Sequence, residues 1–437
     1  MRAYPMTPSA VSPKVPGYRW RIVALLFIAT TINYMDRQIL SLVKPLLDTE
    51  LHWTNLQFGA VNSAFQGAYA IGLFFFGWII DKLGVRRGYA LSVGAWSIFA
   101  MAHALVGSIA GFTVVRVLLG LGEAGNFPGA IKAVTRWFPK AERSFATSLF
   151  NSGANVAAII APATIPFIAA AWGWRAAFVI AGLIGLLWLI FWFPIYRRPT
   201  QHPKLSPEEL AYIGGDGAES EPDHDIKVPW AKLLARRETW SFVVGKLLTD
   251  PVWYFFLTWL PGYLHDAKGL DMKSLGAPLV GIYGIVTVLS IIGGWIPGRL
   301  IARGMPVSRA RKVCMFGFAL CALPILGIKG TGLWGAVALI GIAGAAHQAW
   351  MASLYTTVSD MFPKYAVGSV VGLGGMAGSF GGMIFPVVCG YIIDHYKAAG
   401  SIDTGYGILF GVCSVAYVLA FALNHFLAPK FDRVSSL

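Results

Sequence analysis

Charged residues are scarce in this sequence of 437 residues. Asp, Glu, Lys and Arg together make up 13% of the chain, which is about half of their usual share in soluble domains. Hydrophobic residues supply 56%, and glycine occupies another 50 positions. The composition therefore indicates an integral membrane protein, and the length leaves room for twelve spanning helices of about 20 residues each.

Cysteine and catalytic motifs are also scarce. The four cysteines all lie inside apolar runs without metal-ligand spacing, so we expect small buried apolar residues, no disulfide, no metal and no cofactor. No H-E-x-x-H, G-x-S-x-G or phosphate-binding loop is present, which leaves an intramembrane enzyme only as the alternative from another class. The first 18 residues contain four prolines and no apolar core, which predicts a disordered tail and not a signal peptide.

Apolar runs bounded by charged and turn residues predict an all-α membrane protein with twelve spans. The predicted spans lie near residues 20–43, 56–80, 88–107, 112–136, 144–170, 174–195, 240–263, 276–301, 311–329, 333–361, 367–394 and 405–427. The predicted domains are a tail over 1–19, a six-helix bundle over 20–195, a central loop over 196–239, a second six-helix bundle over 240–427 and a tail over 428–437.

Basic residues between the spans fall mainly on one side. That side carries 25 Lys and Arg, and the other carries six. The positive-inside rule therefore predicts that both termini are cytoplasmic, which requires an even number of spans. The net charge of +14 follows from this topology, so we expect the lipid bilayer and no nucleic acid as a partner, and a monomer.

Two short segments recur in the two halves. Phe-Pro-Lys at 138–140 returns at 362–364, and Gly-Trp-Ile at 77–79 returns at 294–296. Such a repeat predicts two bundles related by an axis along the membrane normal, with the substrate between them near the midplane.

The central loop contains two predicted helices. Ser206 before Pro207 predicts a helix start with a capping box, and residues 230–237 predict a short interfacial helix. The acidic stretch between these helices predicts a mobile segment. We expect the loop as a whole to connect the two bundles and not to regulate transport.

Four ionisable residues stand inside two predicted spans. Asp36 and Arg37 are adjacent in span one, and Arg116 and Glu123 are seven apart in span four, about 10 Å along the helix axis. Charges at such depth are costly and are typical of functional sites. Because Arg116 is too far along the helix, Glu123 requires either a proton or a cation from another helix. A coupling carboxyl and a static ion pair with Arg37 or Arg116 both remain open.

The second half carries its own polar groups. Lys246 and Asp250 are four apart in span seven, which favours an ion pair. Trp253 and Tyr254 follow one turn later and are expected to line a cavity. In span ten, His347 and Gln348 are suited to hydrogen bonds with sugar hydroxyls. For His347, helix packing is an equal alternative.

With these residues in view, the sequence resembles the major facilitator superfamily. The loop motif is carried by residues 77–87, and the span-four motif by Arg116, Gly120 and Glu123. Within the superfamily, segments 32–38, 122–134, 150–155, 249–255 and 345–348 look like the anion:cation symporter family, and most like its bacterial hexuronate transporters. The resemblance implies a proton-coupled symporter that imports a hexuronate such as galacturonate or glucuronate by alternating access. The open alternative within transport is another organic anion, namely an aldonate, aldarate or aromatic carboxylate.

The resemblance, together with the spans, also assigns roles to individual residues. Proton coupling falls to Asp36 and Glu123. Substrate binding is expected at Tyr34, Arg37, Gln66, Tyr69, Asn151, Asn155, Trp253, Tyr254, His347 and Gln348. Gating is expected at Asp81, Arg86, Arg87 and Arg116.

Overall fold

The computed structural model describes residues 17–214, 230–271, 273–362 and 364–434. These residues form helices joined by short connections, and no strand occurs within those ranges. The helices of the first half are α1 (Tyr18–Leu42), α2 (Lys44–Leu51), α3 (Asn55–Leu83), α4 (Val85–Ala102), α5 (Ile109–Glu123), α6 (Asn126–Trp137), α7 (Lys140–Asn151), α8 (Gly153–Trp172) and α9 (Trp174–Ile195).

The helices that follow are α10 (Pro207–Gly214), α11 (Trp230–Leu234), α12 (Arg237–Asp266), α13 (Gly276–Ala302), α14 (Val307–Cys321), α15 (Leu333–Met361), α16 (Lys364–Ala398) and α17 (Ile402–Leu427). Nine segments of the described chain are long and apolar enough to cross a membrane. Three more helical stretches of spanning length, α1, α5 with α6, and α12, hold the charged residues singled out above.

Three predicted spans are interrupted in the structure. Span four breaks between α5 and α6, immediately after Glu123, span five breaks between α7 and α8, and span nine passes from α14 into a 3-10 helix over Leu323–Gly330. At the first break Gly125 packs so closely on Ser92 and Phe76 that a side chain would not fit. The Ser92 hydroxyl donates to the carbonyl of Gly122 over 2.6 Å, which satisfies a backbone group inside the bundle.

The first part of the central loop packs on the first half. As predicted, Ser206 caps α10, since its Oγ accepts the backbone N–H of Glu209 over 3.1 Å. The fully buried carboxylate of Glu209 in turn accepts the backbone N–H groups of Tyr18 and Arg19, both over 3.1 Å. Thus the loop caps the start of α1.

The second part of the loop differs from the prediction. The expected interfacial helix over 230–237 is shorter, since α11 ends at Leu234 and the chain enters α12 at Arg237. The acidic stretch expected to be mobile lies within 215–229, outside the described residues. Likewise, residues 1–16 of the expected tail lie outside the description, and α1 already begins at Tyr18.

The bundle has two faces, which we name by their residues. The basic face holds the start of α1, the α3–α4 connection and α10, and the opposite face holds α2 and the start of α3. At the opposite face α3 of the first half packs on α16 of the second. The Asp394 carboxylate accepts the backbone N–H groups of Asn55 over 2.9 Å and Leu56 over 2.8 Å. Gly59 passes directly against the carbonyl of Pro386, so the two halves are closed at this face.

Candidate functional site

A central cavity lies between the two halves, on the basic-face side of the α3–α16 contact. It has two adjoining parts, of about 90 Å³ and about 290 Å³, which share Tyr34, Trp253, Tyr254 and Leu257. The smaller part is further lined by Arg37, Gln38, Asn62, Phe65, Gln66, Arg116, Thr258 and Pro386. The larger part is further lined by Asn151, Ala154, Asn155, Lys246, Asp250, His347, Gln348, Met351 and Tyr355.

Arg37 and Glu123 form an ion pair at the wall of this cavity. The Arg37 Nε donates to Glu123 Oε2 over 2.6 Å. The Glu123 side chain is fully buried, whereas that of Arg37 remains 12% exposed. The sequence left Glu123 with either a proton or a cation from another helix. The structure shows the cation, Arg37 of α1, while a coupling role for Glu123 stays a prediction.

Aromatic rings surround the Arg37 guanidinium. Its central carbon lies 4.8 Å from the ring centroid of Tyr34, 5.4 Å from that of Phe65 and 4.4 Å from that of Tyr69. Such rings attract a cation through their faces, and they also limit its movement. The guanidinium is thus held at the cavity with its charge compensated by one carboxylate.

Asp36 and Arg116 are buried beside this pair. Both carboxylate oxygens of Asp36 lack a hydrogen-bond partner among the described residues, and its side chain is 1% exposed. Arg116 is equally buried and stacks over Phe65 at 5.5 Å. Its hydrogen bonding within the described residues is limited to a long contact of 3.5 Å with the carbonyl of Arg37. Two carboxyls and two guanidiniums therefore share one cluster.

A second charged group faces the cavity from the other half. Lys246 Nζ lies 2.7 Å from Asp250 Oδ2, which is the predicted ion pair, and donates to the Tyr355 hydroxyl over 3.0 Å. His347 bonds the Tyr417 hydroxyl over 2.7 Å and stacks on Trp253 with ring centroids 5.3 Å apart. Helix packing therefore accounts for much of His347, although it also lines the cavity.

The remaining predicted substrate residues divide into two groups. Gln66, Asn151, Asn155 and Gln348 line the cavity, and Gln66 Oε1 has no hydrogen-bond partner among the described residues. Tyr69 instead reaches the site through its ring contact with Arg37. Binding by each of them stays a prediction.

The residues predicted to gate the carrier do not lie together. Arg86 and Arg87 are on the basic face, whereas Arg116 belongs to the buried cluster. The side chain of Asp81 is outside the described residues. A gating role for Asp81, through a charged contact to the cytoplasmic end of span four or span eleven, is a prediction from the sequence that stays untested.

Several lining residues were not singled out from the sequence. Asn62 lies one helical turn before Gln66 on the same face of α3, and Tyr355 lies two turns after Gln348 in α15. Helical spacing from the chosen residues could have found both. Thr258 carries no such signal, because a lone threonine in an apolar helix is common. Within the described residues no group of three His, Cys, Asp or Glu is placed to hold a metal ion.

This arrangement, a polar cavity between two helical halves, is matched by the comparison with known families. The family model described as Major Facilitator Superfamily matches residues 26–386. The chain belongs to the major facilitator superfamily. As a member of this superfamily it is a multi-pass membrane transporter and not an enzyme, and its fold is all-α.

Two transporters with related sequences and one solved structure are similar to this chain over most of its length. The "Hexuronate transporter" of Escherichia coli (strain K12) is 30% identical over 92% of both chains. The "Probable galactarate/D-glucarate transporter" of Bacillus subtilis (strain 168) is 32% identical over 95% of this chain and 94% of its own. Among solved structures, a bacterial homolog of the human lysosomal transporter Spinster, inward-facing and occupied, has a TM-score of 0.79 at 17% identity. It covers 96% of this chain and 100% of its own, which supports the fold alone.

Proposed function

We propose that this protein is a proton-coupled symporter that imports a hexuronate, such as galacturonate or glucuronate, by alternating access. The observation that carries the proposal is the Arg37 guanidinium, which faces the central cavity and is held by a single buried carboxylate, Glu123. A guanidinium fork matches a carboxylate in a bidentate geometry. The hexuronate and aldarate substrates in the names of the two similar transporters are sugar acids, which agrees with this choice.

The proposed topology follows the charge distribution. We assign the basic face to the cytoplasm, with twelve spans in two six-helix bundles, both termini inside and a monomer in the inner membrane. With this orientation the α3–α16 contact closes the outer side, since Asp394 binds Asn55 there. The described cavity then corresponds to an inward-facing state.

Coupling rests on competition for Arg37. Ionised Glu123 occupies its Nε, so a substrate carboxylate must share or displace that contact. A proton on Glu123 removes the competing negative charge and releases the guanidinium for substrate. Because the two binding events are linked, substrate favours protonation of Glu123 to the same extent that protonation favours substrate.

Asp36 is suited to a second proton. Its buried carboxyl has no hydrogen-bond donor among the described residues, and a buried charge without hydrogen bonds is costly. Its nearby charges are Glu123, Arg116 and Arg37. We propose that protonation here permits the empty carrier to reorient.

The membrane potential explains the need for protons. Import of a monoanion into a negative cell costs about 2.3 kcal/mol per 100 mV. One proton per anion cancels that charge and leaves the pH gradient to drive uptake. A second proton recruits the potential as well.

An aldarate is the second candidate substrate, since the Bacillus subtilis relative is named for galactarate and D-glucarate. A dicarboxylate needs a second cation in the cavity. Lys246 is placed for this, but it is already bound by Asp250 and Tyr355. Arg116 also lines the cavity, so a second cation is available to a dicarboxylate, and competition in the uptake assay decides between the two substrates.

Uptake by purified protein in proteoliposomes tests the function. Radiolabelled galacturonate should accumulate when the outside is acidic and should only equilibrate after a protonophore is added. Unlabelled glucuronate should compete strongly, and galactarate weakly. Accumulation of labelled galactarate in preference to galacturonate would instead support the aldarate candidate, and accumulation without a proton gradient would contradict proton coupling.

A further inference from the structure

Five arginines converge on a second cavity that is separate from the transport site. This cavity, of about 380 Å³, lies on the basic face of the first half. Its arginines are Arg86, Arg87, Arg136, Arg197 and Arg198. They come from the start of α4, the end of α6 and the segment after α9, so three elements bring them together.

Among the described residues, no carboxylate compensates the charge of this cavity. No acidic side chain lines it within the described part of the chain, and none of the five arginines has a described carboxylate within ion-pair distance. Like charges held in one concave site repel each other, and an anion between them removes that repulsion. The site therefore has the electrostatics of an anion-binding pocket.

Two neutral donors complete the pocket. Tyr196 lines it and is 1% exposed, and its hydroxyl lies beside the Arg136 and Trp137 side chains without a well-aligned hydrogen bond among the described residues. The N-terminus of α4 also lies there, where Gly84 provides no capping side chain. Unpaired backbone N–H groups at a helix start favour phosphate-type anions. Guanidinium forks, a hydroxyl and helix N–H groups together form the donor set that a phosphate group requires.

The position of the cavity indicates which kind of molecule would carry the phosphate group. Arg86 Nη2 donates to the carbonyl of Phe193 over 2.7 Å, and the Phe193 side chain is 43% exposed on an apolar helix surface. Leu83, which lines the cavity, is 46% exposed. The pocket thus begins where the outward apolar surface ends, at the level of lipid headgroups.

We propose that this arginine cavity is a binding site for the phosphate of an acidic phospholipid. Basic pockets at the cytoplasmic ends of spanning helices suit such headgroups. The acyl chains would extend along the exposed surface beside Phe193, and the phosphate would contact Arg136, Arg198 and the Tyr196 hydroxyl. The inference is independent of the transported substrate.

Native mass spectrometry of the full chain, with phosphatidylglycerol or cardiolipin added, measures this binding directly. The double variant Arg136→Gln/Arg198→Gln should lose about tenfold or more in lipid affinity, because two charge-assisted hydrogen bonds are removed. The matched control is Arg303→Gln/Arg309→Gln, which removes two exposed arginines from the basic face of the second half. It should bind lipid like the parent.

A conservative variant and two further ligands separate the possible results. Tyr196→Phe keeps the ring and should lower affinity by roughly three- to tenfold, while phosphatidylcholine should bind far more weakly than phosphatidylglycerol to the parent. Equal loss in both double variants would overturn the proposal, because it would indicate a general effect of basic charge. Millimolar inorganic phosphate should not displace the lipid. Displacement by phosphate, with no preference among lipids, would assign the pocket to a soluble anion and overturn the lipid assignment.

Discussion

Arg37 and Glu123 lie 86 positions apart in the chain, and their side chains meet at 2.6 Å. The contact joins α1 to the end of α5, immediately before the break at Gly125. Only Arg37 of the two is partly exposed, so the substrate reaches the cation first. A substitution of Arg37 should therefore change substrate affinity, whereas a substitution of Glu123 should change the pH dependence of binding.

Arg37→Lys should weaken galacturonate binding by about tenfold or more. Lysine keeps the charge but loses the planar fork and its stacking on Tyr34 and Tyr69, and hydrogen bonds to charged groups are worth about 1.5–3 kcal/mol. Isothermal titration of the purified protein measures the affinity. The control Arg175→Lys alters an exposed pair with Glu50 and should bind normally. Near-parental affinity in Arg37→Lys would remove Arg37 from the binding site.

Glu123→Gln should bind substrate with little dependence on pH. The amide cannot ionise, so the competition for Arg37 no longer changes with pH. The variant should exchange labelled for unlabelled substrate across the membrane, yet fail to concentrate it. Glu50→Gln, a neutral replacement at an exposed pair, should leave accumulation intact.

Proton-driven accumulation that survives in Glu123→Gln would place the coupling carboxyl elsewhere. Asp250 would then be the next candidate, because it faces the same cavity and pairs with Lys246. Asp250→Asn in the same assay decides between the two.

Sequence spacing alone predicted much of this site. Arg116 and Glu123 are too far apart along one helix to pair, which left Glu123 with either a proton or a cation from another helix, and the i,i+4 spacing of Lys246 and Asp250 predicted their ion pair. The predicted apolar runs fall on helices of the described chain, although spans four and five are each divided into two helices and span nine ends in a 3-10 helix. These features are local, or depend on one helix at a time.

Contacts between distant segments could not be predicted in this way. Asp394 near the end of α16 caps the start of α3, 339 positions away at Asn55, and nothing in either segment indicates the other. Glu209 likewise caps α1 from the central loop, where its place in a capping box suggested only a local role. The close approach of Gly59 to Pro386 also depends on how two whole helices cross.

Asp394→Asn should destabilise closure at the opposite face. The carboxylate binds two backbone N–H groups at the positive end of α3, and loss of its charge weakens that cap. A cysteine at Thr258, which lines the cavity, should react faster with an impermeant maleimide added outside cells. Asp360→Asn removes a similar charge, but from a pair with Arg311 inside the second half, and should not change that rate. Unchanged labelling in Asp394→Asn would mean that the contact does not hold the outer side shut.

The final prediction concerns Gly59, where α3 crosses α16. A methyl group there would collide with the backbone carbonyl of Pro386, which cannot move without its helix, whereas a methyl group at Gly294 meets nothing within 4 Å. Both glycines lie inside helices, and alanine favours a helix over glycine by about 1 kcal/mol. Neither substitution should therefore lower stability through helix propensity.

Gly59→Ala should accordingly prevent closure of the outer side and reduce uptake by about tenfold or more, with Thr258 labelled readily from outside. Gly294→Ala should transport at the parental rate. Since the two variants share the same chemical change, a difference between them isolates the contact between the halves. Parental uptake by Gly59→Ala would show that the α3–α16 crossing can separate and still complete the transport cycle, and the closed outer side would then have to depend on Asp394 and the contacts around it.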